Sequence, residues 1–184
     1  MAIKRYTVDG YGQLEINNCA FRRDGRIEAQ CKPNATAFAS AMVENGMLLA
    51  VDNVKREVNF ATDSSLPVAL VYSAEHIYSE RKSGLKDFAL KGTGDFLPRE
   101  GYLSVGDKFT TNCVCYDSTE FTNDAAVDTA LAAYNSTAVY GGQSSIGAIK
   151  LSATAPTTGP VLRVIGNTTM PDGQKGIKFQ VISC

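Results

Sequence analysis

The chain is predicted to be mainly β: a single compact β-barrel or sandwich-like body, with one or two short helices and an extended N-terminal arm. Three observations carry this expectation. Apolar residues recur with period two in short runs, Gly, Pro and Asp-Gly breaks separate the runs, and two stretches of about three turns carry a helical stripe. The organising stretch is Gly101–Tyr116, whose β-prone halves, Tyr102–Val105 and Phe109–Tyr116, flank Gly106-Asp107 and read as a hairpin. Period-two reading puts Phe109, Thr111, Cys113 and Cys115 on one face and Thr110, Asn112, Val114 and Tyr116 on the other. Useful side chains on both faces fit the middle of a barrel or an interface better than a wet sheet face.

The elements follow in order. Residues 1–32 are expected to form the arm, with turns at Asp9-Gly10 and Asp24-Gly25. A two-residue hairpin at Asp24-Gly25 would pair Arg22 with Ile27 and Phe21 with Glu28, so each face mixes apolar and charged groups. Such a hairpin has no core of its own to join and could use both faces across another subunit. Residues 33–184 are expected to form the body. Within it, Pro33–Glu44 reads as a helix ended by Asn45-Gly46, Met47–Val51 turns at Asp52-Asn53 into Val54–Phe60, and Leu66–Tyr72 reads as a buried strand. Residues 73–99 are charged and loop-like, long for a connection in a small sheet domain. The strongest helix lies at 122–134, with Thr122 or Asn123 as its cap and Val127, Ala130, Leu131 and Tyr134 as one stripe. Ile146–Leu151, Val161–Ile165 and Ile177–Ile182 finish the sheet.

Composition narrows the function classes. With 184 residues the chain can bury a real core, and a net charge of -1 supplies no global positive field for nucleic acid or an anionic membrane. No window approaches transmembrane length, and Met1–Tyr6 is not followed by the apolar run of a signal peptide. The expectation is a chain made in the cytosol and used there or in a particle assembled there, with neither nucleic acid nor membrane as partner.

Chemistry-bearing residues are sparse. Five cysteines, at 19, 31, 113, 115 and 184, lack the density of a disulfide scaffold. Cys113-Val-Cys115 has neither the spacing of a zinc ligand pair nor that of a redox pair, and reads as buried free thiols. His76, beside Glu75 and Glu80, is the single histidine and lacks a second ligand or an HExxH pattern. No GxSxG, phosphate loop or dinucleotide fingerprint occurs. The expectation is a protein that is not an enzyme, with no catalytic residue, no cofactor and no metal. A small hydrolase whose acid pair converges only in the fold is the enzymatic alternative.

The β-rich body and arm, with Glu44–Asn53, Gly101–Phe109 and Met170–Ile182, resemble the small head-decoration (cement) proteins of tailed bacteriophages. The resemblance implies a structural virion protein on the outer surface of the capsid. Such a protein binds the major capsid protein lattice as a homo-oligomer, commonly a trimer, and stabilises the head. A tail, baseplate or carbohydrate-binding module of the virion is the alternative. In the decoration reading, the arm supplies the capsid-contact candidates Ile3, Tyr6, Leu14, Ile16, Phe21, Arg22, Arg23, Arg26 and Ile27. Its apolar members would be buried against the lattice while its arginines select an acidic site.

Overall fold

The computed structural model describes residues 2–6, 12–24, 29–62, 65–72, 90–91, 97–171 and 173–184. In chain order these hold β1 (Ile3–Arg5), β2 (Leu14–Asn18), α1 (Ala20–Arg23), β3 (Ala29–Gln30), β4 (Lys32–Pro33) and β5 (Met42–Val43). Next come β6 (Leu48–Asp52), β7 (Glu57–Phe60), β8 (Val68–Val71), β9 (Leu90–Lys91), β10 (Arg99–Tyr102), β11 (Lys108–Thr111) and β12 (Val114–Asp117). After α2 (Asp124–Ala132) follow β13 (Tyr140–Gly142), β14 (Ile149–Ser152), β15 (Val161–Thr169) and β16 (Lys175–Ser183). The protein is mainly β with short helices.

The larger sheet has the order β1-β12-β14-β13-β15-β16-β11-β2. β11 and β12 are separated by Asn112 and Cys113 alone, yet lie toward opposite sides of that order. Two residues span only about 7 Å of extended chain. The sheet therefore curls until one run, residues 108–117, joins its two sides. The smaller sheet, β3-β10-β8-β6-β7-β4, repeats the device: β3 and β4 lie at its two edges with only Cys31 between them.

Two cores result. Phe109, Tyr116, Ile149, Leu162, Val164 and Phe179 belong to the first, joined by Leu48 and Leu70 from the smaller sheet and by Val127 and Leu131 of α2. The alternate residues of those smaller-sheet strands, Leu49, Val51, Ala69 and Val71, join Cys31, Phe38, Val58, Cys113 and Cys115 in the second core. Both faces of the smaller sheet are thus buried. Its central strands β6 and β8 are accordingly near-continuous apolar runs, with Leu48–Val51 all buried.

Helix α2 forms where the sequence places it. The side chain of Asn123 accepts from the Ala126 amide at 3.0 Å, and the Val127/Leu131 stripe is buried. The turn after Asp52 also holds, since its Oδ1 accepts from the amides of Val54 and Lys55 and β6 pairs antiparallel with β7.

Four expectations are corrected. Residues 102–116 do not form a hairpin: β10 pairs with β8 and β3, whereas β11 pairs with β16 and β2, so the Gly106 turn (φ 97°) carries the chain from one sheet to the other. The single period-two register also breaks at Asn112. There the side chains of Thr111 and Asn112 bind the backbone of Gln13, and the Cys113 amide donates to Thr111 Oγ1. The interruption puts Phe109 on the same core as Val114 and Tyr116, opposite Cys113 and Cys115. The span 33–44 is not helical: Pro33 ends β4, Met42–Val43 form β5, and the residues between turn, because Asn34 Oδ1 caps the amides of Thr36 and Ala37 locally and Phe38 is drawn onto Phe60, with ring centroids 4.5 Å apart.

The fourth correction concerns the arm. β1 pairs antiparallel with β12, from Ile3↔Asp117 to Arg5↔Cys115, and β2 pairs with β11, from Leu14↔Thr111 to Asn18↔Lys108. β1 and β2 thus flank the 108–117 run, one beside each half. Residues 20–23 are helical rather than one side of a hairpin, and Asp107 Oδ1 accepts the Ala20 amide at 2.8 Å. Burial explains the difference: Phe21 is 0 % exposed and Tyr6 3 %, so this segment has a one-sided core face that period-two pairing about Asp24-Gly25 conceals. The Asp9-Gly10 turn and His76 lie outside the described residues.

Candidate functional site

Asp107 organises the end of the body where the two sheets meet. Its Oδ2 accepts the Ser104 amide at 2.8 Å, its carbonyl accepts the Val181 amide, and the Gly106 amide donates to the Val181 carbonyl. Residues 103–106 are thereby held beside residues 181–184, and Cys184 Sγ donates to the Leu103 carbonyl at 3.2 Å.

Beside this seam lies a cleft of about 310 Å³. Its apolar walls are Leu66, Pro67 and Val68 at the entry to β8, Tyr102 and Leu103 at the exit of β10, and Pro160; Gln143 and Cys184 add the polar atoms. Next along the same two runs stand Val105, 68 % exposed, and Ile182, 44 % exposed. A cleft with apolar walls and two solvent-facing β-branched side chains beside it suits burial against another surface better than proton transfer.

A second hollow, of about 270 Å³, is polar and includes Tyr6, Asp128, Asn167 and Lys175. Tyr6 Oη donates to Asp128 Oδ1, and Lys175 Nζ donates to the same oxygen at 2.7 Å. The Lys175 bond first, and then the Tyr6 bond, holds the Asp128 carboxyl below its ordinary range; burial and the Asp128 contact raise the Tyr6 phenol. The same contact raises the Lys175 ammonium. All three shifts favour the protonation states already present at neutral pH, so this is a clamp joining the residue after β1 to α2 and β16 rather than an acid–base pair. Arg5 and Glu44, 2.8 Å apart, tie β1 to the loop before β6 in the same way.

Comparison with known protein families, with curated proteins and with solved structures found no match.

The arm candidates divide. Tyr6 and Phe21 are core residues, and Leu14 and Ile16 pack against the first core, Ile3 against the second. Tyr6 and Phe21 are therefore corrected as surface contacts: their apolar surface is already covered within the chain. Arg22 and Arg23 are exposed in the last turn of α1. Arg26 and Ile27 lie outside the described residues. Cleft residues escape sequence reading because they come from five separate stretches, and Leu103 and Val105 read as ordinary strand positions. The available signal is an apolar side chain placed immediately before the Gly106-Asp107 turn.

The thiols are chemically quiet. Burial pushes Cys113 up to about 12 and Cys115 up to about 11, although Arg5 opposes both, and burial raises Cys19 to about 12. A thiolate is the reactive form, so these groups resist reagents at neutral pH. Cys19, Cys31, Cys113 and Cys115 are buried and Cys184 is exposed. A thiol reagent is expected to label one site quickly in the folded protein, and Cys184→Ser should remove that fast phase. Fast reaction at a second cysteine in the Cys184→Ser variant would contradict the packing. Among the described residues no group of three or more His, Cys, Asp or Glu side chains gathers as a metal site, and no helix is long and apolar enough to cross a membrane.

Proposed function

We propose that the protein is a structural virion protein that docks on the outer lattice of a phage major capsid protein and stabilises the head. The cleft and its Val105/Ile182 rim form the docking face. The observation that carries this reading is the apolar surface left uncovered where residues 103–105 run beside 182–184. An interface core needs such a patch, while charged groups at a rim set register. The sequence resemblance names the capsid lattice as the partner. Repeated lattice sites favour a homo-oligomer around a local symmetry axis, with a trimer as the expected state.

The test is retention on undecorated capsids. Val105→Asp combined with Ile182→Asp should weaken binding by about tenfold or more, because a charge would enter a desolvated contact. The melting transition should stay nearly unchanged, since both side chains are exposed. Equal occupancy and equal salt resistance of variant and unmodified protein would refute the assignment of this face. Sedimentation at micromolar concentration, with and without capsid, tests the oligomer: a monomer that also binds as isolated single copies would refute it.

A further inference from the structure

The second core holds a carboxyl group where an apolar side chain would be expected. Glu100, in β10, is 0 % exposed, and among the described residues neither of its buried carboxyl oxygens has a partner in good hydrogen-bond geometry, the amides of Cys31 and Glu100 lying near without closing such a bond. It stands opposite Val71 in register and two residues from Tyr102, so it shares their side of the sheet. Its other neighbour is the strap that closes the smaller sheet. Residues 29–33 hold β10 through Gln30 and Ala29 and hold β7 through Lys32 and Pro33, two register pairs on each side. This is the weakest pairing in that sheet, and Cys31, 5 % exposed, sits at its centre.

The charged groups around Glu100 do not offset it. Arg56 and Asp52 reach Cys31 with opposite effects, Lys32 pairs with Glu57 at 3.6 Å, and Arg99 alternates to the other side of β10. Among the described residues an ionised carboxylate in this place has no counter-charge, so the neutral form is the one the closed sheet accommodates.

We propose that Glu100 and the strap Ala29–Pro33 form a proton-operated latch: with the carboxyl protonated the strap closes the smaller sheet, and loss of the proton favours release of the strap from β10. Burial raises the Glu100 carboxyl to about 8, with the nearby Cys31 amide and its own opposing the shift, against an ordinary value of 4.5. The sign follows from proton linkage. The closed form binds the proton more tightly than the opened form, so closure is fully favoured below the ordinary carboxyl range. It weakens as pH rises and reaches its limit near pH 8.

Hydrogen exchange on the full chain tests the latch. After correction for the intrinsic pH dependence of exchange, opening of residues 29–33 should increase by about tenfold per pH unit from about pH 5 and level off above about pH 8. Amides in β15 and β16 should not follow that slope. In Glu100→Gln, which cannot ionise, the slope at the strap should vanish. The carboxyl carbon of Glu100 in the unmodified protein provides a second readout that needs no variant: it should titrate well above the exposed glutamates. An unchanged slope in Glu100→Gln, or a Glu100 carboxyl that titrates with the exposed ones, would overturn the proposal.

Discussion

Deletion of residues 1–24 is expected to abolish the cooperative fold. The deletion removes β1 and β2, the neighbours of the strand that closes the larger sheet, and takes Tyr6, Cys19, Ala20 and Phe21 out of the core. Loss of a buried Phe side chain alone costs about 3–5 kcal/mol, a large share of the roughly 5–15 kcal/mol that holds a domain together. Removing the paired strands as well exposes the 108–117 run, whose residues 109–117 are all buried. Near-ultraviolet circular dichroism and thermal melting of the truncated chain provide the measurement. A detachable arm would leave the transition within a few degrees of the intact protein, and that result would contradict the architecture described above. The single substitution Phe21→Ala should show the same effect in reduced form, a loss of about 3–5 kcal/mol in denaturant unfolding.

Gly101→Ala should be nearly as damaging, and for a reason confined to one contact. A Cβ at this position would meet three ring carbons of Phe21 at 2.5, 2.6 and 2.7 Å. The ring cannot swing aside, because it is fully buried and lies with its centroid 4.7 Å from that of Tyr72. Neither can β10 retreat, since it is paired on both sides. Overpacking of this kind costs about 1–3 kcal/mol or more. The double variant Phe21→Ala/Gly101→Ala is the discriminating experiment: the new methyl group then enters space vacated by the ring. Its destabilisation should fall short of the sum of the two single effects by at least about 1 kcal/mol. Strict additivity would mean that the two residues do not touch.

The parts of the fold that were legible in the sequence are those set by local chemistry. Asn123 caps α2 and the Val127/Leu131 stripe buries it, both within one helix. Asp52 makes its own turn, and the runs at 48–52, 68–71 and 175–183 carry their β-character openly. What stayed hidden depends on partners far along the chain. Nothing near Phe21 announces that a glycine 80 positions later leaves room for its ring. The interruption at Asn112 likewise needs the backbone of Gln13, 99 residues earlier, before Thr111 and Asn112 can break the period. At Pro33–Glu44 the helical stripe loses to the Asn34 caps and to the packing of fully buried Phe38 on Phe60. The cleft was hidden more completely, since no single stretch contributes more than three of its residues.

The proposed docking face around Leu103, Val105, Ile182 and Cys184 is to meet a capsid lattice. A reconstruction of undecorated phage heads incubated with the purified protein tests it most directly. Ordered density is expected on the outer capsid surface at repeated lattice positions, with the cleft mouth turned toward the major capsid protein and Val105 and Ile182 inside the contact. Density that leaves this face in solvent, or heads that stay bare at saturating protein, would contradict it.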